Sequence, residues 1–173
     1  MKKFLLIFCA VLGIAVSASA QKAQFQIGYG GYTQMDNSNM HIGGKIDNAW
    51  GALTAAVNFN VAPKLMVGGS YTFSSASYKH DGGNAYYHVL MVNARYDYWR
   101  NSIVKLYAHG ALGACITHAT DGDDWSKNKG YVAFQVSPLG AEVGLGRTTA
   151  IFGELGYGAQ GLLQVGFRFN ICH

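Results

Sequence analysis

The sequence predicts an all-β fold, an eight-stranded antiparallel up-and-down transmembrane β-barrel, and three observations carry that prediction. Apolar residues alternate with polar or small ones through eight segments, without helical periodicity. The connections between segments sort by length, short on one side and longer and polar on the other. Finally, the faces opposite the apolar stripes carry Arg95, Lys105 and Arg168 together with Asp97, Glu142 and Glu154. Such a face cannot rest on a hydrocarbon core, because burying unpaired charge is costly. It can line the inside of a narrow barrel as a balanced ionic network.

Residues 1–20 are set aside first. Met1-Lys2-Lys3 is a positive leader and Phe4 to Val16 an uncharged, mostly apolar run. Ser17-Ala18-Ser19-Ala20 follows with small residues at the positions a signal peptidase reads, so cleavage is expected after Ala20. The apolar run is shorter than the roughly 20 residues of a membrane helix. The expected mature domain is 21–173. Of the 13 basic residues, removing Lys2 and Lys3 leaves 11 against 9 acids, a net +2. That balance, without any Lys/Arg run, excludes a nucleic-acid partner. Cys115 and Cys172 remain, enough for one disulfide in an exported protein but not for a disulfide scaffold.

The strands follow in order. Phe25, Ile27 and Tyr29 alternate with Gln24, Gln26 and Gly28. Leu53, Ala55, Val57 and Phe59 form the second stripe, and Leu65, Val67, Tyr71 and Phe73 the third after the break at Asn60-Val61-Ala62-Pro63. Tyr86, His88, Leu90, Val92, Ala94, Tyr96 and Tyr98 mark the fourth strand, with Arg95 and Asp97 on its other face. The fifth carries Val104, Leu106, Ala108, Leu112 and Ile116 against Lys105, Tyr107 and His109. On the sixth, Val132, Phe134 and Val136 lie in one phase, and Pro138-Leu139-Gly140 shifts the phase by one, as a bulge does. Ile151, Leu155 and Tyr157 face away from Glu154 on the seventh, and Leu163, Val165, Phe167 and Phe169 away from Gln164 and Arg168 on the eighth. The glycines on the charged side, among them Gly28, Gly68, Gly113, Gly156 and Gly166, are expected to make room for long charged side chains.

The connections at 60–64, 99–102 and 146–149 are short, and all fall at the end that holds both termini. Those at 33–48, 76–85 and 118–130 are longer and polar, and 158–161 is short. This sorting is that of an outer-membrane barrel. Tyr29, Tyr71, Phe73, Tyr86, Tyr96, Phe167 and Phe169 sit on the apolar face near expected strand ends, where interfacial rings form girdles. The rival is a soluble secreted ligand-binding barrel or sandwich, with the apolar stripes turned inward.

With these residues in place, the chain from Gln21 to about Phe169 resembles the small eight-stranded outer-membrane β-barrels of Gram-negative bacteria. Within that set it is most similar to the porin-like β-barrel domain proteins of Bacteroidetes. The resemblance lies in Phe25-Gln26-Ile27-Gly28-Tyr29-Gly30, the Pro138-Leu139-Gly140 bulge, and Glu154-Leu155-Gly156-Tyr157-Gly158 leading to the final strand. It implies the cell outer membrane, contact with outer-membrane lipids, and insertion by the barrel-assembly machinery. That machinery reads a terminal aromatic, and Phe169 stands in its place. Residues 170–173 then form a short tail past it.

The expected role is outer-membrane structure or surface interaction through the loops, by a monomer with a plugged interior and an unidentified extracellular ligand. Trp50, Tyr78 and Trp125 are the candidate loop contacts, with Tyr87 also near the rim. A narrow porin-like channel and a lipid-modifying enzyme are the alternatives. Eight strands enclose little beyond their own side chains, which weighs against a channel. For an enzyme, Ser74, Ser75 or Ser77 and His88 would have to meet an acid such as Asp81. His88 reads more simply as an interfacial residue and His109 as part of the inner polar network. His118, Asp121, Asp123 and Asp124 match no complete calcium loop. No catalytic residue, metal site or cofactor is expected.

Overall fold

The computed structural model describes residues 23–37, 46–78, 84–121 and 125–171. The expected leader, the tips of the three longer loops, and Cys172 and His173 lie outside the described residues. Eight strands, β1 (Ala23–Gly31), β2 (Ile46–Ala62), β3 (Leu65–Tyr78), β4 (Asn84–Arg100), β5 (Val104–Asp121), β6 (Trp125–Gly144), β7 (Thr149–Gly158) and β8 (Leu163–Ile171), form one closed barrel. Every neighbour is antiparallel, and β1 closes on β8 from Ala23↔Ile171 to Gly31↔Leu163. Closure leaves no sheet edge at the level of the short strands, the condition for a sheet whose outer face meets hydrocarbon.

The alternation sets the two sides. β4 is buried at every second residue from Ala85 to Asp97, with Tyr86, Leu90, Val92, Tyr96 and Tyr98 pointing out. On β8, Leu163, Val165, Phe167 and Phe169 face out while Gln164 and Arg168 are buried. The greasy surface is the outside, so the soluble barrel with an apolar interior does not describe this molecule. On β6 the phase shift falls as the residues require. Ser137 and Gly140 are buried, Pro138 and Leu139 between them are both exposed, and pairing with β7 slips between Val136 and Leu139.

The strands are unequal. β1, β7 and β8 have 9, 10 and 9 residues, close to the roughly 9–11 that a tilted membrane strand needs. β2 to β6 have 17, 14, 17, 18 and 20. The segments 76–85 and 118–130, expected as loops, are strand over residues 76–78, 84–85, 118–121 and 125–130: β3 runs to Tyr78, β4 starts at Asn84, β5 runs to Asp121 and β6 starts at Trp125. The reason is backbone pairing. Residues Ile116 to Asp121 pair with Trp125 to Gly130, and neither face needs to be apolar once the hairpin has left the membrane.

Segment 33–48, also expected as loop, begins with a helical turn, α1 (Gln34–Asn37). Asp36 caps it, its Oδ2 accepting from Thr33 N at 2.6 Å and Thr33 Oγ1 at 2.9 Å. This turn drops Met35 into the mouth of the barrel, fully buried. β8 also takes in Asn170 and Ile171, which were set apart as tail. Their backbone continues the ladder with Gln24 and Ala23, so the strand ends where its partner does.

Candidate functional site: the filled lumen

The inward side chains differ from one end of the lumen to the other. Toward the short turns lies an ionic layer. Glu142 is at its centre: Oε2 is 2.6 Å from Arg95 Nη1 and 2.9 Å from Arg168 Nη1, and Oε1 is 2.6 Å from Lys105 Nζ. Arg95 Nε also pairs with Asp97 Oδ1 at 2.8 Å, and Arg168 Nη2 with Glu154 Oε1 at 2.8 Å. The structure thus brings together all six charged residues expected on the inner face. Three cations meet three carboxylates, and every one except Lys105 is at least 95% buried. Such a layer is tolerable only because each charge has several partners, since a single buried pair gains little over its desolvation cost.

Those partners come from β1, β5 and β7. Gln24 and Gln26 on β1 accept from Arg95 Nη1 at 3.2 Å and Arg168 Nε at 2.8 Å. Tyr107 donates its hydroxyl to Glu154 Oε1 at 2.9 Å, and His109 Nδ1 lies 2.9 Å from Glu154 Oε2. Both guanidiniums also lie over the Tyr107 ring, with Cζ 4.0 Å (Arg95) and 4.5 Å (Arg168) from its centroid. Phe152 receives Arg168 as well, at 4.1 Å. These cation–π contacts strengthen where water is excluded. Sequence reasoning put Tyr107 and His109 on this face, but missed that Tyr107 is the platform of the layer.

Above the ions sits a layer of hydroxyls and amides. Thr54 and Thr72 share a hydrogen bond at 2.9 Å, and Ser70 donates to Asn93 Oδ1 at 2.9 Å. The short turn at 159–162 folds inward here. Gln160 donates from its backbone to Gln135 Oε1 at 2.9 Å and from Nε2 to Ser70 at 3.2 Å, reaching across from the β7–β8 turn to β3. Gly158 (φ 151°) and Gly161 (φ 107°) adopt the positive φ that this tuck demands.

The last layer, toward the longer loops, is apolar: Met35 packs with Tyr87, Val89, Met91, Cys115 and Ala133, all buried. The interior is expected to be polar and plugged; at this end the plug is hydrophobic. Tyr87, placed near the rim from sequence, belongs to this plug. Gln34 locks the plug to the wall, donating to Val132 O at 3.4 Å and accepting from Phe134 N at 3.3 Å, where β6 has risen above the end of β7.

The inward glycines serve another purpose than the one expected of them. A Cβ on Gly68, Gly113 or Gly166 would lie about 2 Å from the carbonyl oxygen of Val57, Leu90 or Ile27 on the next strand. They permit close approach of coiled strands, not space for charges. Gly140 makes room for the Tyr107 ring, which its Cβ would meet at 2.3 Å, and Gly28 and Gly166 make room for the Phe152 ring, at 2.9 and 2.8 Å.

Of the candidate loop contacts, Trp50 belongs to the outer surface. It packs edge-on against Tyr29 (5.7 Å) and Phe73 (6.4 Å), and its carbonyl accepts from the Tyr29 hydroxyl. With Tyr86 and His88 next to Phe73, this is an aromatic belt, now in mid-strand because β2, β3 and β4 continue beyond it. Tyr78 and Trp125 lie at strand ends, and their side chains are outside the described residues. Of the serines considered for hydrolysis, Ser74 is buried in the lumen, whereas Ser75 lies on the outer face opposite Tyr86, on the side of His88, whose Nδ1 is 2.7 Å from the Tyr71 hydroxyl; the Ser77 side chain lies outside the described residues. Asp81 lies outside the described residues. Among the described residues no group of three His, Cys, Asp or Glu is placed to hold a metal ion, and Cys115 is a buried free thiol.

A closed eight-stranded antiparallel barrel, apolar outside and ionic inside, is a small outer-membrane β-barrel. The chain is similar to the N-terminal β-barrel domain of Pseudomonas aeruginosa OprF, with a TM-score of 0.53 at 9% identity, over 87% of this chain and 97% of that one. It also aligns with Ail, the attachment invasion locus protein of Yersinia pestis, with a TM-score of 0.48 at 12% identity, over 87% of this chain and 93% of that one. At these identities the likeness is one of fold. No protein-family model and no curated protein matches the sequence.

Proposed function

We propose that this protein is a plugged outer-membrane barrel that serves membrane structure and surface interaction, and passes no solute. The observation that carries this reading is the ionic layer. Arg95, Glu142, Glu154 and Arg168, none more than 3% exposed, join β1 and β4–β8 across the lumen, and the Gln160 turn and the Met35 plug lie above them. A mobile ion would have to break several charge-assisted bonds in a space that holds only side chains. The action is then at the loop end, where β3 to β6 project past the aromatic belt; Tyr78 and Trp125 at the tips are candidate contacts for an extracellular ligand.

The same reading takes residues 1–20 as an export signal and the barrel-assembly machinery as the route of insertion. Monomeric behaviour fits a barrel that is complete in one chain. The motifs Phe25 to Gly30 and Glu154 to Gly158 support the finer placement among Bacteroidetes porin-like barrels. Planar-bilayer recording tests the core of the proposal. The purified protein should give no steady open level, and a reproducible step of nanosiemens size would replace the plugged barrel by a channel.

A further inference from the structure

The lipid-facing surface is not evenly filled. Between β3, β4 and β5 runs a trough of about 730 Å³. Its floor is Ala94, Ala108 and Gly110, and Leu65, Val92 and Leu112 rise around it. Beyond it the outward positions of the same strands carry Tyr71, Leu90 and Ile116, with Gly69 and Ala114 between them, and only at Ala94, Ala108 and Gly110 do small residues lie side by side on two strands. It extends over five residues of β4, from Tyr96 to Val92, and five of β5, from Ala108 to Leu112, four residue steps on each strand. That is roughly 13 Å of strand, about half of a ~25 Å apolar band and so one leaflet deep.

The lower end of the trough opens at the short-turn rim, which faces the periplasm in an outer-membrane barrel. Leu65 and Tyr96 pair across the trough there, and Lys64 is one residue below, its carbonyl accepting from Asp97 N at 2.8 Å. Arg100 reaches back to the Pro63 carbonyl of the same turn. Lys64 and Arg100 are both exposed, and neither has a carboxylate partner among the described residues. The described acids of this half of the barrel, Asp97, Glu142 and Glu154, are all buried in the ionic layer. Two cations without a carboxylate partner among the described residues therefore stand at the short-turn rim below the trough, where long side chains reach round the end of the sheet.

We infer that the trough is a binding site for one anionic phospholipid of the periplasmic leaflet, with an acyl chain on Ala94, Ala108 and Gly110 and its phosphate on Lys64 and Arg100. The surroundings of this face are lipid, which sets the class of occupant, and the charge at the foot selects an anionic head group. The inference needs the membrane orientation but not the plugged lumen, so a conducting barrel would leave it standing.

Native mass spectrometry of the full protein, released from detergent containing phosphatidylglycerol or phosphatidylcholine, reads the site directly. One phosphatidylglycerol should be retained in preference to phosphatidylcholine, by roughly thirtyfold for two cations near a membrane surface. Lys64→Gln with Arg100→Gln should remove the preference. Gly110→Phe should abolish retention of either lipid, and Val165→Phe on the opposite wall should not. A Cβ on Gly110 meets nothing nearer than the Gln135 carbonyl at 4.0 Å, so a side chain there starts clear of the wall. Ala108→Leu is a milder filling of the same floor, and heat-modifiable gel mobility confirms that each variant is folded. Equal retention of the two lipids by the native protein, or retention that folded Ala108→Leu and Gly110→Phe leave unchanged, overturns the inference. So does a dimer that Gly110→Phe dissociates, which would give the trough to a second copy.

Discussion

Each charge in the lumen depends on the others. Glu142 meets three cations and Arg168 meets two carboxylates, one amide and two rings, so removing either leaves buried partners uncompensated. Arg168→Ala should lower unfolding stability in detergent by about 3–5 kcal/mol, the cost of breaking a buried pair from one side. Arg147→Ala on the exposed short turn should stay within about 0.5 kcal/mol. Urea titrations followed by tryptophan fluorescence compare the two; similar midpoints would mean that the layer is more hydrated than its geometry shows. This face was open to sequence reading because a charge at an alternate strand position has only one place to go. The roles of Tyr107 and Phe152 were not. An aromatic at a strand position reads equally as girdle or as interior, and only the third dimension shows a guanidinium lying on its ring.

The strands were legible where two faces have to differ in polarity and illegible where they do not. From Tyr86 to Tyr98 the alternation is dictated by lipid on one side and ions on the other. Leu90, 54% exposed in mid-strand, belongs to the lipid side. Leu90→Arg should therefore cost about 2–4 kcal/mol of insertion free energy. Folding into vesicles, scored by heat-modifiable mobility, measures it, and a variant that inserts like the native protein would contradict the phase of β4. Above the belt both sides of β5 and β6 meet water, the selection for alternation lapses, and polar residues such as Asn128 and Lys129 look like loop although their backbones are paired. The α1 turn was hidden for a related reason. A single buried methionine in a polar stretch has no period to reveal it, and what fixes it is Gln34 reaching a strand almost a hundred residues later.

As a whole the barrel is lopsided: a tall wall of five strands stands beside a low wall of three. The tall side should be reachable from outside the cell and the short turns should not. With Cys172→Ser as background, Lys129→Cys should react with a membrane-impermeant maleimide on intact cells, whereas Arg147→Cys should react only after the outer membrane is permeabilised. The reverse would invert the orientation and move the cationic rim to the cell surface. Closure itself bears a further meaning. Arg168 lies on the last strand, yet its guanidinium is held by Gln26 of the first, Glu142 of the sixth and Glu154 of the seventh. Until β8 zips onto β1, Gln26 lacks the Arg168 guanidinium and the layer is not joined into a ring. Arg168 is thus the keystone of an arch: the half-built barrel is incomplete inside, and the step that seals the seam is the one that settles the interior.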